Sequence, residues 1–132
     1  MIGLDTNVLA RYIVCDDDKQ ADAAARLIES QCTSDSPGFI SSIVLCELAW
    51  VLSRGYKLNR QTVVSVFRGI LAVKELQVQD AETAWQALRF FEAGKADFAD
   101  YLIGVSNRER KVIITYTFDK RAAESDFFRL IV

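Results

Sequence analysis

The chain has 132 residues, of which 51% are hydrophobic and 26% charged, a length and composition typical of one compact domain. The absence of histidine excludes an imidazole base and histidine metal ligands within this chain. Three unevenly spaced cysteines favour reduced thiols over a disulfide framework or a zinc site. The net charge of −2 does not by itself support nucleic-acid binding, yet acids committed to a metal would leave the remaining surface positive.

No segment resembles a targeting or membrane element. Apolar runs stay well below the roughly 18 residues of a membrane span, and Asp5 stands too early for a signal peptide. We therefore expect a cytoplasmic protein that has no membrane segment. Scattered glycines and a single proline leave no linker, so residues 1–132 are predicted to form one domain.

The first half of the chain alternates between strand and helix patterns. The apolar run 2–4 predicts a buried strand, followed by a helix that Thr6 or Asn7 could cap. Acidic residues 16–18 start a second helix, which has a narrow apolar stripe. A second short strand is expected at residues 39–40.

The following helix, at residues 43–52, is almost entirely apolar and should be buried on most sides, with Glu47 as its only charge. The β-branched run 112–117 predicts a strand covered on both faces. Further helices are expected at 59–73, 81–93 and 95–110, a brief strand at 76–78, and a last strand at 129–132. This alternation predicts an α/β domain with a mainly parallel central sheet.

Acidic residues stand where such a sheet binds ligands, which is beyond the carboxyl ends of its strands. Asp5 and Asp119 each follow a predicted strand, so we expect them to meet at one edge. Glu47 is the lone carboxylate of an apolar helix, and its burial would need a cation or hydrogen bonds. A structural ion pair with Arg11 or Arg54 is the alternative for Glu47.

Asp97 and Asp100 lie three residues apart and hence on one helical face. Helix capping accounts well for Asp97 and less well for Asp100, which leads directly into an apolar stretch. Clustered carboxylates raise one another's pKa unless positive charge is near. Mg²⁺ or Mn²⁺, which take oxygen ligands, would supply that charge and support phosphodiester hydrolysis.

Four motifs together resemble those of PIN-domain ribonucleases, specifically the VapC toxins of type II toxin–antitoxin pairs. They are MIGLDTNVL at residues 1–9, LCELAW at 45–50, DFADYLI at 97–103 and TYTFD at 115–119. The resemblance spans the whole chain. It implies a three-layer α/β/α PIN-like domain and a Mg²⁺- or Mn²⁺-dependent endoribonuclease.

The resemblance also implies the catalytic acids. Asp5 and Asp100 would be the principal metal ligands, while Glu47 would complete the first site or hold the attacking water. Asp119 would support a second metal or act through water. Asp97 is an additional nearby acid, and Asp100 is favoured over it because the family's acid directly precedes the apolar helix.

Further roles follow from the same resemblance. Thr6 and Asn7 would orient Asp5 or a phosphate, and Thr117 would act in the layer of residues around the metal ligands. The sequence departs from relatives at residues 110–111, where a glycine often precedes the strand.

Implied partners are an RNA substrate, such as tRNA or ribosomal RNA, a cognate antitoxin that inserts a basic residue among the acids, and a second copy of the chain in a homodimer. The apolar helices at 43–52 and 59–73 could form the homodimer face, the antitoxin groove or plain core. Candidate contacts with RNA are Arg11, Arg54, Lys57, Lys95, Lys120, Arg121, Tyr12, Tyr101 and Phe118.

Two other interpretations compete with a nuclease. A phosphoacceptor receiver domain would need paired acids after its first strand and an Asp ending a middle strand, which this chain lacks. A non-catalytic metal-binding signalling or interaction domain of α/β fold is compatible with the same four acids.

Overall fold

The computed structural model describes residues 1–16 and 18–132. The centre of the acidic run predicted to start the second helix, Asp17, lies outside the described residues. Contacts between Cα atoms divide the chain into two compact units, residues 1–81 and 82–132, and each is described by itself.

Among residues 1–16 and 18–81, the first unit contains a parallel three-stranded sheet and four α-helices. Strand β2 lies between β1 and β3, and Gly38 is opposite both Ile2 and Leu76. The elements in chain order are β1 (Ile2–Gly3), α1 (Thr6–Val14), α2 (Asp18–Gln31), β2 (Gly38–Ile40), α3 (Ser42–Trp50), α4 (Arg60–Ala72) and β3 (Leu76–Val78). The predicted β2, β3 and α4 are thus confirmed to within about one residue.

Helix starts in this unit are fixed by polar side chains. Asp5, rather than the expected Thr6 or Asn7, is the N-cap of α1. Ser41 caps α3 by accepting a hydrogen bond from the backbone N–H of Val44 at 3.2 Å. The end of α3 widens into a π-helical turn at Val51–Gly55.

The expectation that α3 is buried on most sides is wrong. Leu45, Leu48 and Leu52 are fully buried and form part of the core. Ile43 and Trp50 are 74% and 57% exposed, however. Even this apolar helix has two distinct faces, because the sheet and the neighbouring helices cover only one side of it.

The second unit combines helices with a separate pair of strands. Its helices are α5 (Ala81–Ala93), whose first residue belongs to unit 1, and α6 (Phe98–Glu109). Strands β4 (Thr115–Thr117) and β5 (Phe128–Leu130) pair in parallel, with a 3₁₀ turn at Ala122–Glu124 between them. Phe91, Phe98 and Phe127 are among its buried residues.

The prediction of a long strand covered on both faces at 112–117 is wrong, because only Thr115–Thr117 is a strand and Ile113 is 93% exposed. The residues before β4 instead close the end of α6. Lys111 has a left-handed backbone with φ 66°, and the backbone N–H of Val112 donates to the Asn107 carbonyl at 3.0 Å. A lysine thus occupies a conformation that glycine adopts more readily.

The predicted α/β class with parallel strands is confirmed, since every strand pair in the two sheets is parallel. Within residues 1–16 and 18–132, no helix has the combined length and apolarity needed to cross a membrane.

Substitution by alanine is predicted to have opposite effects on stability at two helical glycines. A Cβ atom at Gly104 in α6 would lie 2.6 Å from Cγ of Phe127, whereas a Cβ at Gly69 in α4 would contact nothing within 4 Å. We expect Gly104→Ala to lower the free energy of unfolding by about 1–3 kcal/mol through overpacking, and Gly69→Ala to raise it by about 0.5–1 kcal/mol. Urea denaturation of both variants measures the difference; equal stabilisation would contradict the close contact.

Candidate active site

In the first unit, one threonine holds two of the predicted acids. The backbone N–H of Thr6 donates to Oδ1 of Asp5 at 2.8 Å. The Thr6 hydroxyl donates to Oε1 of Glu47 at 2.7 Å. Thr6 itself is only 6% exposed, while both carboxylates are exposed. A buried residue therefore orients two carboxylates that remain accessible from solvent.

The expected burial of Glu47 is wrong. It shares the exposed stripe of α3 with Ile43 and Trp50, so its charge does not require the compensation that a buried carboxylate would. Arg11, one of its two suggested ion-pair partners, lies 3.6 Å from Asp16 instead.

In the second unit, Asp100 is the acid with the least favourable surroundings. It is half-buried in the first turn of α6. Desolvation raises its pKa, and the charges of Asp119 and Asp97 raise it further. A hydrogen bond from the Asp97 backbone opposes these effects and lowers the pKa. The structure thus brings Asp97, Asp100 and Asp119 close enough for their charges to interact.

Asp97 lies at the helix start, as expected of a capping residue, and Asp100 lies in the first turn. Asp97 is the N-cap residue of α6, but its side chain makes no capping hydrogen bond. The carboxylate of Asp100 interacts with the Asp97 backbone instead, as the third helical residue does in a capping box. Asp100 is therefore fixed at the helix start, while Asp97 is exposed.

Asp119 is also oriented by the backbone. Its Oδ1 accepts hydrogen bonds from the N–H groups of Arg121 at 2.8 Å and Ala122 at 2.9 Å. Its own N–H donates to the Thr117 hydroxyl at 3.0 Å. These bonds use Oδ1 and leave Oδ2 out of the capping contacts.

The predicted site residues form one group in each unit. Asp5, Thr6 and Glu47 are linked in the first unit, and Asp97, Asp100, Thr117 and Asp119 lie together in the second. Among the described residues, no three acidic or cysteine side chains form a preassembled metal cluster. The chemistry of the five acids nevertheless fits a hard cation, because Asp5, Glu47, Asp97, Asp100 and Asp119 all offer carboxylate oxygens and Asp100 has acidic neighbours.

The candidate RNA contacts differ in their accessibility. Phe118 is 78% exposed, whereas Tyr101 is 4% exposed and its hydroxyl accepts a hydrogen bond from the Ala96 N–H. Stacking of a base on Tyr101 is therefore excluded in this conformation. The exposed cations among these candidates are Arg54, Lys57, Lys95, Lys120 and Arg121, while Arg11 is half-buried.

Sequence reasoning missed a cleft beside Asn7, which lies in the first turn of α1. The cleft faces alanine side chains of α2, and this alanine-rich segment was the available signal, since small side chains leave space between packed helices.

The environment of Asp100 predicts a pH-dependent effect of Asp100→Asn. Since folding raises the pKa of Asp100, the ionised group destabilises the folded state at neutral pH. In EDTA at about pH 7, we expect the variant to be more stable by less than about 1 kcal/mol, because solvent screens a half-exposed group. This advantage should disappear as the pH falls below the ordinary value of 3.8.

Urea denaturation across this pH range measures the effect, and Asp35→Asn at an exposed turn is the matched control. A variant less stable than wild type at neutral pH would show that the interactions of the Asp100 carboxylate outweigh its desolvation and repulsion.

The family is identified by comparison with known proteins. No curated protein and no solved structure is significantly similar to the chain. A family model described as the PIN domain matches residues 2–127, which is nearly the whole chain. The parallel strands and the helices are consistent with the three-layer α/β/α fold predicted for such a domain. PIN domains are generally nucleases that act on RNA and use divalent metals. The chain belongs to the PIN-domain family.

Proposed function

We propose that this protein is a divalent-metal-dependent endoribonuclease that acts as the cytoplasmic toxin of a type II toxin–antitoxin pair. The observation that carries the proposal is the half-buried carboxylate of Asp100, whose pKa is raised by burial and by the charges of Asp119 and Asp97. A partly desolvated acid with acidic neighbours is costly to ionise without a cation. Membership of the PIN family makes a catalytic divalent metal the natural cation.

Mg²⁺ or Mn²⁺ is held in this proposal by Asp5 and Asp100, with Glu47 completing the site or holding the attacking water. Asp119 supports a second ion or acts through water. When bound, such an ion supplies Lewis-acid chemistry that activates water and stabilises charge on the leaving oxygen. Support comes from the order of the four motifs and from the family match.

Polar neighbours of the acids position them. Thr6 restricts the rotamer of Glu47 through its hydroxyl, and Asn7 orients Asp5 or a phosphate. Thr117 accepts the N–H of Asp119 and so fixes the chain direction after β4. Asp97 adds negative charge next to Asp100.

The substrate in this proposal is a structured RNA such as tRNA or ribosomal RNA. Exposed Lys57, Lys95, Lys120 and Arg121 supply positive charge for its backbone. Phe118, 78% exposed next to Asp119, offers a face on which a base can stack.

The partner in this proposal is a cognate antitoxin that lies in an apolar groove of the first unit and inserts a basic residue among the acids. A groove of about 530 Å³ runs between α1, α2 and α4. Its walls include Ile13, Ile28, Val66, Ile70, Glu29 and Glu75. Apolar walls with acidic residues suit an amphipathic basic segment.

In this proposal a second copy of the chain packs on Trp50 at the end of α3, about one helical turn beyond Glu47, so that the Glu47 carboxylate stays open to the metal. Trp50 is 57% exposed, and the Arg54 guanidinium lies 5.9 Å from the centroid of its ring. Aromatic and arginine side chains are enriched in the centres of protein interfaces.

The homodimer is tested by Trp50→Ser. We expect the wild type to have twice the mass of the chain in solution and the variant to be monomeric, since the central aromatic contact is lost. Light scattering after size exclusion measures the mass, and Phe118→Ser, at another exposed aromatic residue, is the control. A monomeric wild type would refute the homodimer.

A non-catalytic role is favoured by one specific observation, which is that Asp5 and Asp119 both cap helical turns. Asparagine caps helices about as well as aspartate does. Asp→Asn substitution therefore keeps the structural role and removes the charge that binds a cation, so it separates the two functions.

RNA cleavage by the purified, antitoxin-free protein tests the nuclease. With total RNA and tRNA, we expect discrete cuts in Mg²⁺ or Mn²⁺ and none in EDTA. Asp5→Asn and Asp100→Asn should each lower the rate by at least about a hundredfold, because each removes a charged metal ligand. Asp35→Asn makes the same chemical change away from the site and should cut normally.

Circular dichroism confirms that each variant is folded. If the folded wild type cuts nothing with either metal, or if the two site variants cut as well as Asp35→Asn, the acids are structural and the interaction-domain function is correct.

A further inference from the structure

A second, smaller cleft lies between α1 and α2 in the first unit, with a volume of about 290 Å³. It includes the first turn of α1, the helix that Asp5 caps. The residues that line it include Asn7, Val8 and Arg11 of α1 and Gln20, Ala23 and Leu27 of α2. The cleft is thus built on the same helix end as one of the proposed metal ligands.

The size and the walls of this cleft suit a single flat ring system. Its volume is at the lower end of the range of about 300–1,000 Å³ for small-molecule sites. Val8, Ala23 and Leu27 present carbon atoms, and the short alanine side chain leaves the space open. Ala23 is exposed, so the cleft is accessible from solvent.

The Arg11 side chain at this cleft is held in place by its polar neighbours. Nε of Arg11 donates to Oε1 of Gln20 at 2.6 Å, and Nη1 donates to the Tyr56 hydroxyl. Asp16, 3.6 Å from Nη1, offsets the charge of Arg11. These contacts orient the Arg11 guanidinium and use two of its five N–H groups, so the others can donate to the edge of a base.

We infer that this cleft binds an unpaired base of the RNA substrate, with the base plane against Val8, Ala23 and Leu27 and its edge at Asn7 and Arg11, so that Asn7 contacts the base in place of Asp5 or a phosphate. The inference rests on the proposed nuclease function and assigns substrate selection to α1 and α2. Sequence-specific recognition of RNA generally uses unstacked bases held by apolar contacts and edge hydrogen bonds.

Nuclear magnetic resonance of the ¹⁵N-labelled protein in EDTA tests base binding without cleavage. The probes are the four 5′-nucleoside monophosphates and ribose 5-phosphate. We expect at least one nucleotide to shift the side-chain amide of Asn7 and the backbone amide of Ala23, while ribose 5-phosphate shifts neither. Ala23→Leu fills the cleft and should raise the Kd at least about tenfold, whereas Ala72→Leu, at an exposed position of α4, should leave it within about twofold.

Three results would overturn the inference: no nucleotide shifts these signals, ribose 5-phosphate shifts them equally, or Ala23→Leu binds as tightly as Ala72→Leu. A stronger response to N-acetyl-leucine amide would assign the cleft to a protein side chain instead. A wild type that cuts RNA without binding nucleotides here refutes only this inference. A wild type that binds nucleotides here but cuts no RNA refutes only the nuclease.

Discussion

The hydrogen bond from the Thr6 hydroxyl to Glu47 is the interaction on which the first half of the candidate site depends. It joins residues 41 positions apart and connects the start of α1 to the middle of α3. Thr6 is 6% exposed, so its hydroxyl needs a partner, and Glu47 provides one while staying exposed. The backbone N–H of Thr6 also donates to the Asp5 carboxylate. One buried side chain therefore sets the positions of two accessible carboxylates.

Backbone groups at the starts of helical turns orient three of the candidate acids. Asp5 and Asp119 accept backbone N–H groups at the beginnings of helical turns, and Asp100 interacts with the Asp97 backbone. These bonds orient the carboxylates, and the one at Asp100 opposes the burial that raises its pKa. Backbone donors carry no full positive charge, so the acids of the second unit still repel one another. The fold thus orients the carboxylates but does not remove the repulsion around Asp100.

The sequence predicts the elements whose signal is local. Helix α5 begins and ends where its amphipathic pattern does, and β2 and β3 match their short apolar runs. The sequence does not predict features that depend on tertiary contacts. The exposure of Glu47 depends on which side of α3 is covered, and the short β4 depends on which residues find a strand partner. Among the candidate acids, the sequence places Asp97 at the start of α6. It does not predict that the Asp97 side chain makes no capping bond while the Asp100 carboxylate contacts the Asp97 backbone.

The α2 helix shows why residues without chemistry of their own escape a motif-based search. Its alanines predict a narrow packing stripe, and Ala21 and Ala24 are indeed buried. Ala23, one position away, is exposed and lines a cleft together with Ala24, since adjacent side chains of a helix point about 100° apart. The missing side-chain volume there creates a cavity beside the helix that Asp5 caps. Selectivity for a substrate can therefore depend on small residues, while the motifs that identify the family describe only the acids.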